Sequence, residues 1–248
     1  MENKHVHALV TGASRGIGKS IAKCLLDSGA SVTGTAFRSS FPKEFYKNDR
    51  FHGVNVDLGN AREVEARLRP LIEKSSGMNV VINNAGISED IEFDSSDDDW
   101  NANWERTLAI NLTSPVRLSR WALNYWSKHD IKGILINVAS RAAYRGDTDS
   151  YAPYAASKGG LVAFTKTAAR GFGKKHIAAY SIAPGFIDTD MARQTIPVYG
   201  EEYLMQDIVM PELTPPSQVG ELVSWLASGK VRHLTGSTFH INGGSYMI

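Results

Sequence analysis

The chain has 248 residues, of which 42% are hydrophobic and 21% charged, and 27 basic against 26 acidic residues give a formal net charge of +1. This length is compatible with one large domain or two small ones, and it allows burial of roughly 75% of the unfolded chain's surface. The near-neutral charge, without a basic stripe, disfavours nucleic acid or an anionic membrane as a partner.

The cysteine and histidine content disfavours disulfide and metal chemistry. A single cysteine, Cys24, excludes an intrachain disulfide and a multi-cysteine zinc site, and its helical spacing from Ile17 and Ile21 predicts a core position. The seven histidines are scattered without ligand spacing, so we expect no metal site. A secretory h-region and an apolar run of roughly 20 residues are both missing from the sequence, which predicts a cytoplasmic protein.

Strands and helices alternate along the chain. The predicted strands are 6–10, 31–37, 51–56, 79–83, 134–138, 177–182 and 237–241. The predicted helices are one that ends at Ser28-Gly29, then 61–74, 104–128, 155–173 and 217–226. The strand runs are apolar on both faces, which is typical of a parallel sheet covered by helices on each side. With right-handed crossovers the sequence predicts one doubly wound α/β domain over residues 1–248, with a central parallel sheet of about seven strands.

Two irregular segments interrupt this alternation. The proline- and glycine-rich segment 186–216 is predicted to be a substrate lid, because it follows the carboxyl end of a strand, where open α/β sheets bind their ligands. The alternative is a flexible surface loop. The acidic run 94–99 is interpreted as solvated surface rather than as a metal or partner site.

A glycine-rich turn, Thr11 to Gly18, follows the first strand and opens the first helix. Glycines let the backbone approach a pyrophosphate, which free N–H groups at the helix's positive end stabilise. The spacing G-x-x-x-G-x-G departs from G-x-G-x-x-G, so a tight turn without a ligand is an alternative. The candidate contacts to a dinucleotide are Gly12, Ser14, Arg15, Gly16, Ile17 and Gly18.

The end of the second predicted strand bears on the choice between NAD and NADP. A Rossmann unit that prefers NAD has an acidic residue there, whereas this chain has Arg38 and no Asp or Glu between Asp27 and Glu44. Arg38 and Arg15 offer planar forks for a 2′-phosphate. The sequence therefore favours NADP(H) over NAD(H), the alternative being that these arginines are merely solvated.

Several motifs in the same order resemble the short-chain dehydrogenase/reductase family, and nearly the whole chain takes part. They are Thr11 to Gly18, Asn83-Asn84-Ala85-Gly86, Asn111, Ser140, Tyr154-Ala155-Ala156-Ser157-Lys158, Pro184-Gly185 and the closing Ile241 to Met247. Within the family, the chain is most similar to the branch of bacterial 3-oxoacyl-[acyl-carrier-protein] reductases. The resemblance implies a Rossmann fold and an oxidoreductase.

The catalytic residues of such an enzyme follow from what ketone reduction needs. A nicotinamide supplies only a hydride, so a proton donor is required. Tyr154 and Lys158 lie four apart, on one face of a helix, and we expect the ammonium to lower the tyrosine pKa from about 10 toward neutrality. Ser140 is expected to donate a hydrogen bond to the substrate oxygen. By resemblance, Asn111 holds a water next to the lysine. Tyr151 is not a candidate, since Ala155 stands four residues after it.

The resemblance also implies further cofactor contacts. Asp57 matches the position that touches the adenine, while Asn83, Ala85 and Gly86 border the cofactor. For Asn83, the alternative is a mainly structural role. Tyr154 and Lys158 also border it, Lys158 at the nicotinamide ribose. The last set matches P-G-x-x-x-T and is expected to hold the carboxamide: Pro184, Gly185, Ile187 and Thr189.

Two departures from the family pattern lie on the substrate side. Ser140 and Tyr154 are 14 apart where 13 is usual, and the segment between Gly86 and Asn111 is about two residues longer than in the carrier-protein reductases. We expect the first to be absorbed among Arg145 to Ser150. Both weaken transfer of a substrate by analogy.

The leading hypothesis is an NADPH-dependent ketoreductase that yields a secondary alcohol, with a 3-oxoacyl thioester on acyl carrier protein as one substrate. The basic residues available to bind an acidic carrier protein are Lys128, Lys132, Lys174 and Lys175. The alternative, which the sequence supports equally, is that these four lysines are ordinary solvated side chains. The alternatives are a dehydrogenase or reductase of a small alcohol, sugar or secondary metabolite, and a non-catalytic NADP sensor, which the intact tetrad disfavours. Family members are commonly tetramers, which implies a homotetramer using helices 104–128 and 155–173.

Overall fold

A computed structural model describes residues 2–74, 77–193 and 200–247. The centre of the molecule is a seven-stranded sheet of order β3-β2-β1-β4-β5-β6-β7, in which every neighbouring pair is parallel. The strands are β1 His7–Val10, β2 Ser31–Ala36, β3 Phe51–Asn55, β4 Val80–Asn83, β5 Ile134–Val138, β6 Ala178–Pro184 and β7 Thr238–Ile241. This confirms the predicted α/β sheet.

The strand order reverses beside β1. Val10 pairs with Gly34 of β2 on one side and with Ile82 of β4 on the other, so the chain leaves β1 in one direction and later crosses to its opposite edge. The loops after β1 and β4 consequently diverge to opposite faces of the sheet. Such a reversal opens a crevice at the carboxyl ends of the strands, where doubly wound folds bind dinucleotides.

Helices cover both faces of the sheet. Their bounds are α1 Gly16–Asp27, α2 Lys43–Tyr46, α3 Ala61–Lys74, α4 Asp97–Leu108, α5 Ser114–Lys128, α6 Ala142–Arg145, α7 Ala152–Phe172, α8 Asp190–Arg193, α9 Glu201–Met205 and α10 Pro216–Ala227. Three-residue 3₁₀ turns lie at Asp149–Tyr151, Gly173–Lys175 and Arg232–Leu234. None of the helices in the described part of the chain is long and apolar enough to cross a membrane.

Each face of the sheet has its own apolar core. On one face α1 and α10 contribute Ile21, Leu25, Val219 and Val223, all fully buried. Cys24 is half-buried between these helices, where an atom added at Gly220 would lie 2.8 Å from its sulfur. On the other face α3, α5 and α7 pack together around side chains such as that of Trp126, which is 0% exposed. Burial of these stripes fixes the helices against the sheet.

The helix predicted over 104–128 differs in the structure. It begins at Asp97, where the Ser96 side chain accepts a hydrogen bond from the Asp99 N–H at 3.2 Å, and a π-turn at Ala109–Thr113 separates α4 from α5. Asp97, Asp98 and Asp99 are exposed, as predicted, but they also form the first turn of α4. Carboxylates are stabilised at the positive end of a helix, which explains why this acidic run is helical.

The segment predicted as a lid contains short helices. Ile187 forms a parallel bridge with Thr214, so the two ends of the segment are tied together, and α8 and α9 lie between them. Residues 194–199 of the predicted lid lie outside the described residues.

Candidate active site

The glycine-rich turn after β1 has the conformation that its sequence predicts. Gly12 and Gly16 have φ values of +70° and +52°, which favour glycine. A Cβ at Gly18 would lie 2.0 Å from the Gly12 carbonyl oxygen, so a side chain there would disrupt the turn. The side chain of the N-cap residue, Arg15, makes no capping hydrogen bond to α1, and no acidic residue lies in the first turn of this helix. The helix thus presents its first N–H groups to an anion, which fits the pyrophosphate of a dinucleotide.

Neighbouring loops hold this turn in place. The Asn84 amide donates to the Thr11 carbonyl at 2.9 Å, while the Thr11 hydroxyl accepts from the N–H groups of Asn84 and Ala85 at 2.9 and 3.0 Å. Gly12 N–H donates to the Thr35 hydroxyl at 3.2 Å. The loops after β1, β2 and β4 are therefore joined into one rim. Asn84 was part of the recognised motif but was not predicted to hold the turn.

The loop after β2 places Arg38 beside the turn. The Ser14 and Ser39 hydroxyls are 2.8 Å apart and link the two loops. Arg38 adopts a φ of +55° and its guanidinium lies 4.7 Å from the centre of the Phe37 ring. Arg15 and Arg38 are both exposed, and no carboxylate of the described residues forms an ion pair with either. Sequence reasoning did not identify Ser39, because only the folded loops show its contact with Ser14.

Two other predicted cofactor residues have different surroundings. The Asp57 carboxylate accepts from Gly59 N–H at 2.8 Å and is half-buried after β3. Asn83 is 1% exposed, and its amide donates to Asn137 Oδ1 and Ser119 Oγ at 2.8 and 3.0 Å. Its side chain therefore points into the core and joins β4 to β5 and α5. Only the main chain of Asn83 is therefore available to contact a cofactor. The position of its side chain agrees with the alternative of a mainly structural role.

Ser140, Tyr154 and Lys158 lie together at the carboxyl end of β5. Ser140 follows this strand, while Tyr154 and Lys158 lie on adjacent turns of α7. The Ser140 side chain lies near the Tyr154 hydroxyl and acts to lower its pKa. Lys158 is 4% exposed, and its Nζ donates to the Val138 carbonyl at 3.0 Å and lies 5.7 Å from the centre of the Tyr154 ring.

Burial sets the protonation of this group. It raises the pKa of Tyr154, an effect that the hydrogen bond from Ser140 partly offsets and that the charge of Asp147 reinforces. It lowers the pKa of Lys158 from its ordinary value of 10.5 to about 8. The expected lowering of the tyrosine pKa is therefore not seen, because desolvation outweighs the hydrogen bond and Lys158 donates to Val138 instead. Tyr154 is a neutral acid in this arrangement.

Asn111 lies in the π-turn between α4 and α5 and is fully buried. Its Oδ1 accepts from Ile87 N–H at 2.9 Å, and its Nδ2 donates to the Ile87 carbonyl at 2.9 Å and to Ser157 Oγ at 3.2 Å. Both amide hydrogens are thus engaged, and they join the loop after β4 to α7. An atom added at Gly86 would lie 3.2 Å from both Asn111 Oδ1 and Lys158 Nζ, so these groups border the same small space.

The segment after β6 brings the last predicted cofactor residues to the crevice. Pro184 ends β6, and Gly185 N–H donates to the Ile241 carbonyl at 3.1 Å. A Cβ added at Gly185 would lie 2.8 Å from the Cβ of Asn242. An atom added at Gly16 would lie 3.4 Å from the Thr189 methyl. Thr189 donates to the Ile187 carbonyl at 3.3 Å. The motif at 184–189 therefore faces the glycine-rich turn.

The two longer segments contact each other beside Tyr154. Ile91 N–H donates to the Ser150 carbonyl at 2.9 Å, and Ser150 Oγ donates to Glu92 at 3.1 Å. The chain between Ser140 and α7 turns at Gly146, with φ +75°, and then runs through exposed residues. The additional length thus lies in the rim, and Ser140 remains beside the Tyr154 hydroxyl.

A cavity of about 310 Å³ lies between this rim and the segment after β6. Its lining residues are Arg141, Arg145, Gly146, Asp147, Thr148, Phe186, Tyr203, Gln206 and Asp207. Arg141, directly after Ser140, is 5% exposed. Sequence reasoning missed it, since its neighbours Phe186 and Asp207 come from the distant segment after β6.

The lysines considered for a carrier protein lie elsewhere. Lys128 and Lys132 are between α5 and β5, and Lys174 and Lys175 are between α7 and β6, so all four are at the amino ends of these strands. Ser140 is at the carboxyl end. The four lysines therefore do not border the catalytic residues of their own chain. Among the described residues, no group of three or more His, Cys, Asp or Glu side chains is arranged to hold a metal ion.

Comparison with known proteins gives a consistent result. Residues 6–198 match the family described as short chain dehydrogenase. The chain is 37% identical over 243 residues to the 3-oxoacyl-[acyl-carrier-protein] reductase FabG of Vibrio cholerae and 33% identical over 244 residues to that of Escherichia coli, covering 97% of each protein and of this chain. It is also similar to a solved structure of 4-hydroxyisoleucine dehydrogenase complexed with NADH and succinate. That similarity has a TM-score of 0.84 and 29% identity, and covers 96% of this chain and 98% of the other.

Proposed function

The chain belongs to the short-chain dehydrogenase family, and on this premise we propose that it is an NADPH-dependent reductase that converts a ketone to a secondary alcohol. An oxidoreductase acting on CH–OH or C=O groups agrees with the family and with its curated relatives. The observation that supports the reductive direction is that Tyr154 lies beside Ser140 and the buried Lys158 and that desolvation raises the pKa of its hydroxyl, which keeps it protonated at neutral pH.

Each residue has a distinct role in this proposal. Tyr154 gives its phenolic proton to the carbonyl oxygen, and Ser140 donates a hydrogen bond to the same oxygen as negative charge develops. Lys158 stabilises the resulting phenolate by its positive charge. Asn111 positions α7 through its bond to Ser157, and the proposed water relay is left to Asn111 Oδ1 and Lys158 Nζ, which border Gly86. A bound nicotinamide supplies the hydride that reduces the carbonyl carbon.

The residues of the crevice fit NADP(H). The uncapped start of α1 suits the pyrophosphate, and Tyr154, Lys158, Gly86 and the 184–189 segment border the position expected for the nicotinamide. Arg15 and Arg38 are exposed beside the linked Ser14 and Ser39 hydroxyls. Guanidinium groups bind a phosphate dianion through charge-assisted hydrogen bonds. We therefore propose a preference for NADPH over NADH.

Two substrate classes are supported by different observations. The curated relatives are named as 3-oxoacyl-[acyl-carrier-protein] reductases, which favours a 3-oxoacyl thioester. A solved neighbour of this chain is a 4-hydroxyisoleucine dehydrogenase, which favours a small polar substrate. The cavity of about 310 Å³ with a buried arginine suits the second class better, and the position of the four lysines does not support the first.

The proposal is tested by NADPH oxidation against an acetoacetyl thioester, its carrier-protein form, and a panel of small ketones, oxo acids and sugars, with NADH in parallel. We expect turnover of at least one ketone with NADPH, and a loss of at least about 100-fold in kcat for Tyr154→Phe. Tyr151→Phe, which removes the hydroxyl of a tyrosine three residues earlier, serves as the matched control and is expected to stay active. NADPH binding without turnover of any compound would support a sensor and contradict the proposal.

We also propose a homotetramer. The support is that Phe93 is 63% exposed and its ring lies 4.9 Å from that of Trp100 at the start of α4, which leaves an apolar surface next to the helices α5 and α7. Multi-angle light scattering of the purified chain measures its mass. A mass of a single chain, 27.1 kDa, at micromolar concentration would contradict this assembly.

A further inference from the structure

We propose that Arg141 binds a carboxylate of the substrate, so that the enzyme acts on short oxo acids in preference to neutral ketones. This inference rests on the proposed ketoreductase function and specifies the substrate class. It is carried by a buried guanidinium at the edge of the cavity next to Ser140, one nitrogen of which has no hydrogen-bond partner among the described residues.

The surroundings of Arg141 leave its charge incompletely satisfied. The residue is 5% exposed, and its Nη1 is buried without a hydrogen-bond partner within residues 2–74, 77–193 and 200–247. The guanidinium lies 4.5 Å from the centre of the Phe186 ring, and Asp207 Oδ2 is 4.0 Å from Nη1, beyond hydrogen-bond range. A buried cation in this state is costly unless another group supplies acceptors. A ligand carboxylate has the planar geometry and charge to do so.

The other charged groups of the cavity do not satisfy Arg141. Asp207 is 50% exposed and lies 3.5 Å from Arg145, so its charge is shared and its carboxylate is at the solvent side. Asp147 is exposed at the rim, and its negative charge acts to raise the pKa values of both Arg141 and Tyr154. The cavity thus has the Arg141 guanidinium inside, whereas Arg145, Asp147 and Asp207 lie on its solvent side. An entering anion meets the inner guanidinium, and the exposed Asp147 is available to an ammonium group of the same substrate.

The cavity is close enough to the catalytic residues for one small molecule to span both. Arg141 directly follows Ser140 and is fixed by donation from its N–H to the Pro184 carbonyl at 2.9 Å. Asp147, which lines the cavity, acts electrostatically on Tyr154. A volume of about 310 Å³ is near the lower limit of small-molecule sites. A ketone a few carbons away from a carboxylate therefore fits this arrangement.

The test compares each oxo acid with its neutral methyl ester, using acetoacetate and levulinate and their esters as matched pairs. We expect the wild-type protein to have a kcat/KM at least about 10-fold higher for the acids, through a lower KM. Arg141→Met is expected to lose about 10- to 100-fold on the acids and to change little on the esters, in line with the loss of a charge-assisted hydrogen bond. Arg141→Lys is expected to retain part of the acid preference. Arg106→Met, which removes an exposed arginine paired with Glu89, is the control and should preserve it.

A structural role for Arg141 gives a different result. If Arg141 merely attached the segment of Asp207 to the core, Arg141→Met and Asp207→Asn would reduce acid and ester turnover alike. On our inference, Asp207→Asn preserves or increases the acid preference, because it removes a competing negative charge. Equal losses on acids and esters in both variants, or a wild-type preference for the esters, would overturn the inference.

A binding measurement separates this inference from the proposed function. Calorimetry with 3-hydroxybutanoate and its methyl ester is expected to show binding of the acid to the wild-type protein, weakened at least about 10-fold in Arg141→Met. Acid binding without turnover of any ketone would contradict the reductase and leave the carboxylate site supported. Turnover of ketones with no difference between acid and ester in binding would leave the reductase supported and refute the carboxylate site.

Discussion

The burial of Lys158 lowers the stability of the folded protein, and the substitution Lys158→Met tests this directly. The folded state lowers the lysine pKa from 10.5 to about 8 through desolvation. The difference corresponds to about 3 kcal/mol of folding free energy that is unfavourable whenever both states are protonated, below pH 8. The bond from Nζ to Val138 at 3.0 Å contributes about 1 to 2 kcal/mol in the other direction and is lost with the side chain. We expect Lys158→Met to be inactive and about 1 kcal/mol more stable at pH 7.

The pH dependence gives the stronger test. Because the folded state has the lower pKa, it binds fewer protons than the unfolded state between pH 8 and 10.5, so stability rises with pH in this window. The lysine contributes a gain of about 2 kcal/mol between pH 7 and 9.5 in the wild-type protein and none in Lys158→Met. Shifts of other groups occur in both proteins and cancel in the difference.

The assay is urea unfolding at pH 7, 8, 9 and 9.5, at one protein concentration, followed by the fluorescence of the five tryptophans. Lys166→Met on the exposed face of α7 is the matched control and should follow the wild-type pH profile. Parallel profiles for the wild type and Lys158→Met over this range would refute the reasoning, because they would show that the ammonium group is hydrated in the folded protein.

Three further predictions concern the cofactor crevice. Arg38→Asp is expected to reverse the NADPH over NADH preference, measured as the ratio of kcat/KM values, and an unchanged ratio would show that Arg38 does not contact the phosphate. Gly18→Ala is expected to weaken NADPH binding at least about 10-fold in fluorescence titration, because its Cβ would lie 2.0 Å from the Gly12 carbonyl; unchanged affinity would show that the turn adapts. Asn83→Ala is expected to lower the free energy of unfolding by about 2 to 3 kcal/mol while the KM for NADPH stays the same, since its side chain is bonded within the core; the reverse pattern would restore it as a cofactor ligand.

The sequence was most informative where a local pattern determines the structure. Strands such as β5 are apolar at all positions but one, so their burial between two helical layers was predictable, and Tyr154 and Lys158 follow a fixed spacing along α7. The start of α4 was missed because three aspartates suggest solvent, and the capping role of Ser96 depends on a single hydrogen bond.

Long-range contacts limited the rest. The burial of Arg141 depends on Phe186 and Asp207, which come from a distant segment whose position no local pattern specifies. Whether the Tyr154 pKa is raised or lowered depends on how much water reaches its side chain. Lys158 Nζ lies 5.7 Å from the centre of the ring, but its charge does not offset the desolvation that raises this pKa. The spacing of Tyr154 and Lys158 predicts their proximity but not the donation of Nζ to Val138.

The π-turn at Ala109–Thr113 constrains changes in the length of the chain. Each residue of an α-helix advances the direction of its side chain by about 100°, and a wide turn shifts the residues beyond it by the equivalent of one position. Thr107 before the turn and Leu118 after it are both fully buried, so the two helices are oriented by their own packing. The wide turn thus absorbs one extra residue, and a single deletion there would make the helix regular while both buried faces keep their orientation. What the deletion would remove is the position of Asn111, because its hydrogen bonds to Ile87 and Ser157 are made from inside the wide turn. The wide turn therefore serves the contacts of Asn111 rather than the packing of α4 and α5.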